Sequence, residues 1–243
     1  MYDLAPLRGA TDALWTVLRD ALRQDGIAAP DALSRDVDLM DAWRSRDLVL
    51  GQTCGLPYTR HLCGRVSLVG TPHYRSAEGP LPDPPGHYHS VLLVRADDPR
   101  DLSSLRGAAF GANGTDSQSG WAAPMRMVGG AFFGHMLLTG AHLASMAAVR
   151  DGRVDVAAID RVTWELARRH TQEARDLRVV ARTPSTPGLP LVTAHGEAAR
   201  VRGAVERGMA ALPPGLRDAL GIERLVRFRP GDYDVLEPSA PPR

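Results

Sequence analysis

The stretch Phe110-Gly111-Ala112-Asn113-Gly114-Thr115-Asp116-Ser117-Gln118-Ser119-Gly120 reads as a strand that ends in a polar loop and opens a helix. A helix start leaves backbone N–H groups free and carries the positive end of the helix dipole. The hydroxyls of Ser117 and Ser119 add donors there, and Gly120 lets a guest approach the backbone closely. Such a turn suits the capture of an oxyanion. The dipole contributes about 0.3–1 kcal/mol, rising to about 2 kcal/mol when partly buried, so several N–H and O–H donors must add to it. The same residues also fit a simpler role, a serine N-cap with no guest.

Two further strand-to-helix turns carry polar tips. Thr139-Gly140-Ala141-His142 ends in an imidazole, and Ala157-Ala158-Ile159-Asp160 puts a carboxylate after an apolar run. In a parallel sheet all three turns fall on one carboxyl edge, where ligands of open α/β sheets bind, so His142 can face Ser117. Each has a structural alternative: a histidine that only packs, and an aspartate that only caps.

The elements that would position these tips follow from periodicity. Leu14, Leu18 and Leu22, with Trp15, make one stripe on a helix over 8–25 that Gly26 ends. Short strands are predicted at 48–50 and 66–70, and an exposed loop over 75–87, where four prolines exclude a helix or central strand. From Tyr88 the pattern alternates: strands at 88–94, 108–112, 136–139, 154–159, 177–181 and 189–194, with helices at 120–128, 142–150 and 162–169. That alternation predicts an α/β protein with parallel or mixed sheets covered on both faces. Ala198, Val201, Val205, Met209 and Leu212 mark a last long helix, a short one runs to Leu220, and the tail 238–243 is expected to be disordered.

Composition narrows the chemistry. The 243 residues suffice for one large domain or two modest lobes, and the formal net charge of +1 gives no sign of a nucleic-acid partner. All 29 basic residues are arginine, which excludes Schiff-base lysines, Ser-Lys dyads and the phosphate loop ending in Gly-Lys-Ser/Thr. Cys54 and Cys63, the two cysteines, are too few for a cysteine metal site or disulfide framework and are expected as buried thiols. His87 and His89 have alternate spacing beside the proline-rich loop and are expected to be exposed, so no metal and no cofactor is implied. Neither end carries a membrane-spanning run or a signal-like start, so the chain as written is expected in the cytoplasm.

The run Asp116–Gly120, then Gly140-Ala141-His142, then Asp151-Gly152-Arg153-Val154-Asp155-Val156-Ala157-Ala158-Ile159-Asp160 resembles the phosphate/phosphite/phosphonate-binding proteins of ABC transporters. The resemblance extends from Tyr2 to about Leu220 and is most specific over 113–160. It implies a type II periplasmic-binding fold: two α/β lobes with mixed sheets covered by helices, joined by two crossing hinge strands. Lobe 1 would hold 1–94 and 190–243, and lobe 2 would be the inserted 95–189, with Tyr88–Val94 and Leu189–Ala194 near the hinge. The implied function is a solute-binding protein that closes on a small oxyanion-bearing ligand for uptake through an ABC permease. The implied ligand contacts are Ser117, Ser119 and His142 for the oxyanion, Asp160 as an acceptor, and Asp116, Gln118 and Gly120 beside them. Tyr2, Gln52, Thr53 and Tyr58 would contribute from lobe 1.

Two departures bear on the ligand. The family's common Ser-Thr-Ser-Gly is Ser117-Gln118-Ser119-Gly120 here, and its Gly-Ser-His is Gly140-Ala141-His142. Fewer hydroxyls also suit a carboxylate, a sulfonate or a zwitterion whose cationic end meets Asp160 or Asp116. The family places an apolar first strand before the position of Tyr2, so an upstream segment is expected, and a signal within it would make the protein periplasmic. Two alternatives stand beside transport. One is a cytoplasmic ligand sensor or delivery protein. The other is an enzyme on the same scaffold using Ser117 or Ser119, His142 and Asp160, although no Gly-x-Ser-x-Gly elbow is present.

Overall fold

A computed structural model describes residues 2–75, 83–194 and 196–236. The expected disordered tail and most of the proline-rich loop lie outside the described residues. The chain divides into two compact units: one from the segments before Tyr88 and after Thr186, the other Tyr88–Thr186.

The first unit opens with α1 (Arg8–Gln24), followed by α2 (Leu39–Arg44), β1 (Gly51–Gln52), α3 (Gly55–Pro57), β2 (Val66–Tyr74) and β3 (His87–Tyr88). The second runs through β4 (Ser90–Arg95), β5 (Phe110–Ala112), α4 (Ala123–Val128), β6 (Met136–Leu138), α5 (His142–Arg150), β7 (Val156–Asp160), α6 (Arg161–His170), β8 (Leu177–Arg182) and β9 (Thr186–Pro187). The chain then returns through β10 (Leu191–Ala194), α7 (Ala198–Ala210), α8 (Pro214–Leu220) and β11 (Ile222–Val226). It passes from unit to unit at 87/88 and 186/187, within β3 and β9, which pair as a two-stranded sheet. The boundaries expected from sequence were 94/95 and 189/190. The first differs because Ser90–Arg95 is a full member of the second unit's sheet, bonded on both sides to β7 and β8.

In the first unit α1 buries the predicted stripe, Leu14, Trp15, Leu18 and Leu22, against Val201, Ala204, Val205 and Met209 of α7. Burial of each such aliphatic side chain contributes about 1.5–3 kcal/mol. The helices approach so closely at Gly208 that a Cβ there would lie 2.9 Å from Leu18 Cδ2. Behind them lies a sheet in the order β1-β10-β2-β11, with every described pair antiparallel. The alternating pattern had suggested parallel or mixed pairing throughout, and here the return of the chain as β10 and β11 imposes the other sense. Leu48–Leu50 precedes the strand rather than forming it: ladder pairing begins at Gly51, and Ala194 N–H donates to the Leu48 carbonyl at 2.9 Å. β11 was not anticipated, since Glu223 and Arg224 interrupt its apolar run, but β2 extends to Tyr74 and pairs with it.

The second unit holds a mixed sheet in the order β6-β5-β7-β4-β8, with β5, β6 and β7 parallel and β4 antiparallel to both neighbours. All five residues of β7 are buried, as a strand covered on two faces requires. Phe110 is fully buried and stacks on Phe133 at 4.6 Å between ring centres. Because the three parallel strands run one way, Ala112, Leu138 and Asp160 end at the same edge.

Candidate functional site

That edge gathers the polar tips. After β5 the chain turns at Asn113–Asp116, and Ser117 takes an extended backbone and caps the next helix, its Oγ accepting from Gly120 N–H at 3.0 Å. The helix opens with one wide π-turn, in which Ala122 N–H donates to the Ser117 carbonyl at 3.0 Å. Such i→i+5 turns are rare and occur frequently at functional sites. A Cβ at position 120 would overlap the Asn113 carboxamide, so any larger residue there must displace that side chain. Ser117, Gln118 and Ser119 are all buried, an unusual state for three consecutive polar side chains.

His142 begins α5, and its Nε2 lies 3.1 Å from Ser119 Oγ. Asp160 ends β7 and is 2% exposed. Its Oδ1 accepts from Thr163 N–H at 2.9 Å and so caps α6, while Oδ2 lies 3.4 Å from His142 Nε2. The two roles weighed for this aspartate are therefore divided between its two oxygens. The turn before α5 is tied to β5 by Thr139, whose hydroxyl donates to the Ala112 carbonyl at 3.1 Å and lies 2.6 Å from Ser145 Oγ. Gln118 Nε2 donates to Thr186 Oγ1 at 3.4 Å. Burial pulls the His142 imidazole below its ordinary value, and the Asp160 carboxylate works against that pull. His142 Nδ1 and Asn113 Oδ1 are buried with no hydrogen-bond partner among the described residues.

The arrangement bears on catalysis. In a hydrolytic triad the acid holds one ring nitrogen while the nucleophile uses the other. Here Ser119 and Asp160 both address Nε2, so the ring cannot accept the serine proton while being oriented by the acid through its opposite nitrogen.

Not every residue singled out from sequence joins this cluster. Ser117, Gln118, Ser119, Gly120, His142 and Asp160 assemble in the second unit; Asp116 is exposed in the loop before them. Tyr2, Gln52, Thr53 and Tyr58 belong to the first unit. Tyr2 sets its ring edge-on to Tyr74 at 4.9 Å. Thr53 is 1% exposed, and its hydroxyl donates to the Cys54 carbonyl. Gln52 donates to the Leu189 carbonyl at 3.2 Å, while its Oε1 is buried without a partner among the described residues. Tyr58 is committed to the unit's interior, 1% exposed and edge-on to Tyr233 at 5.2 Å, and burial pushes its hydroxyl up to about 12. Cys63, expected as a buried thiol, is exposed, and Cys54 is half-buried. Sequence reasoning missed Thr139 and Ser145 as supports and gave Asn113 no role. A threonine at a strand end six residues before a helical serine was the available signal.

The sequence matches a family model described as the periplasmic substrate-binding protein of phosphonate ABC transporters, over residues 69–235. No curated protein sequence matches it. Among solved structures, PhnD1 from Prochlorococcus marinus in complex with methylphosphonate is similar, at 16% identity and a TM-score of 0.69, with 94% of this chain and 91% of that one covered. XAC2383 from Xanthomonas citri bound to chloride ion is similar at 20% identity and a TM-score of 0.68, covering 96% and 92%. A binding protein component of an ABC phosphonate transporter from Pseudomonas aeruginosa is similar at 18% identity and a TM-score of 0.67, covering 87% and 74%. At these identities the structures establish the common fold.

Proposed function

This chain belongs to the periplasmic substrate-binding protein family of phosphonate ABC transporters, and on that premise we propose that it binds one small phosphonate-like oxyanion through the turn at Ser117–Gly120 and delivers it to a membrane permease. Ser119 Oγ–H and the backbone N–H groups of the π-turn other than those of Gly120 and Ala122, which bond to Ser117, supply the donors, with His142 beside them and Asp160 behind. The observation that carries this reading is the convergence of Ser119 Oγ, His142 Nε2 and Asp160 Oδ2 at the edge where three parallel strands end. The sharing of one ring nitrogen favours binding over hydrolysis. No helix among the described residues is long and apolar enough to cross a membrane.

Calorimetric titration of the full chain with methylphosphonate, phosphate and phosphite tests the proposal. At least one should bind and be recovered unchanged. Ser119→Ala should weaken that binding by about 1–3 kcal/mol, the cost of one lost hydrogen bond to a charged group. Equal affinity in the variant would move the site away from this turn.

A further inference from the structure

The ring of His142 presents a proton-counting problem, and its solution rests on the oxyanion reading of the turn at Ser117–Gly120. Nε2 faces Ser119 Oγ at 3.1 Å and Asp160 Oδ2 at 3.4 Å, while Nδ1 is buried with no partner among the described residues. A neutral imidazole has one N–H and one lone pair. With the proton on Nε2, the ring serves Asp160 but offers a lone pair at Nδ1, which repels an oxyanion. With the proton on Nδ1, it serves the oxyanion, but its Nε2 lone pair then faces the Asp160 carboxylate and draws the Ser119 hydroxyl, which is lost to the ligand. The imidazolium serves both sides through its own two N–H groups, donating from Nε2 to Asp160 and from Nδ1 to a ligand oxygen. It also frees the Ser119 hydroxyl to donate to the ligand.

We infer that the protein takes up one proton from solvent onto His142 as it captures its oxyanion, with Asp160 as the positioning residue that holds the ring and balances the added charge. Before capture, burial keeps the ring neutral and one carboxylate does not overcome that cost. A bound oxyanion is a second negative neighbour and favours the charged form. The other charged groups on the packed elements are occupied elsewhere. On β4, Arg95 pairs with Asp97 at 2.9 Å; on α5 itself, Arg150 pairs with Asp151 at 3.0 Å. On β8, Arg178 donates to the Asp98 and Arg100 carbonyls, and Arg182 is exposed, in register with Val91. At the start of α6, Arg161 and Glu165 form a buried pair at 3.0 Å. Asp160 is the charge that acts on the ring.

The test is calorimetric titration of the full chain with methylphosphonate at about pH 8.5, well above the ordinary histidine value, in buffers of different ionisation heat. The uptake expected is close to one proton per ligand, falling toward zero in His142→Gln and clearly reduced in Asp160→Asn. Affinity should rise about tenfold for each pH unit lowered toward neutrality, the slope of a one-proton linkage, and lose that slope in His142→Gln. Nitrogen NMR of the His142 ring should change from a neutral to an imidazolium pattern at saturation. Uptake that survives His142→Gln would put the proton on the ligand and overturn the inference while leaving the binding site in place, as would binding with no uptake. Failure of methylphosphonate, phosphate and phosphite alike to bind would overturn the oxyanion reading, and this inference with it.

Discussion

Among the described residues each unit contains one π-turn soon after a strand, and the two put the same backbone device to opposite uses. In the second unit, residues 118–122 follow β5 and keep Gln118 and Ser119 within a polar network. In the first, residues 58–62 follow α3, with Cys63 N–H donating to the Tyr58 carbonyl at 2.8 Å, and their buried side chains are Tyr58 and Leu62. Both turns sit beside a glycine with no room for a methyl group: Asn113 fills the space at Gly120, and Leu236 Cδ1 would lie 2.5 Å from a Cβ on Gly55. The widened backbone does not by itself make a site. What differs is whether the side chains carried on it leave donors to spare.

This contrast predicts that damage to the first turn appears as lost stability and damage to the second as lost binding. The largest effect is expected from Tyr58→Ala, which empties an aromatic position and should lower unfolding free energy by about 3–5 kcal/mol in denaturant titration. Should it leave stability intact and abolish ligand binding instead, the two turns would share one role. Next, Gly120→Ala should weaken methylphosphonate binding at least tenfold by displacing Asn113, whereas Gly55→Ala should leave affinity unchanged and cost about 1–3 kcal/mol of stability through overpacking. A thermal melt beside a binding isotherm separates the two variants.

Asp160 sharpens the comparison within one residue. Asparagine is as good an N-cap as aspartate, so Asp160→Asn should change the melting temperature little while altering the response of binding to pH. Asp160→Ala should add a stability loss of about 0.5–2 kcal/mol from the missing cap. The smallest effect concerns alkaline stability. The Tyr58 hydroxyl is held up at about 12 against an ordinary 10, so the folded state keeps its proton longer than the unfolded chain does. Its contribution is fully present below pH 10 and is lost as pH rises from 10 through 12. Tyr58→Phe should flatten that part of the stability profile, measured by denaturant midpoints across the window.

Much of the second unit was legible in the chain. The apolar run of β7, the serine-rich helix start and the polar ends at His142 and Asp160 are local features: strand period, cap chemistry and hydroxyl placement are set within a few neighbours. The long α1 was legible for the same reason, since a leucine every fourth residue needs no distant partner to mark a face. β11 was not, because its alternation of charged and apolar residues becomes a strand only when β2 is there to pair with it. The burial of Tyr58 was not legible either: a tyrosine in a loop after a strand looks available, and the ring of Tyr233, 175 positions later, packs edge-on against it.

The amino-acid order by itself determined which polar side chains would stand at the strand ends of the second unit, because helix starts, strand periods and hydroxyl donors are written in short windows. Tertiary structure alone decided that Ser119 and Asp160 share a single nitrogen of His142, and that the other nitrogen is buried without a partner among the described residues. Those are relations among atoms brought together from three separate turns, and their sense depends on distances of a few tenths of an ångström that no spacing along the chain encodes.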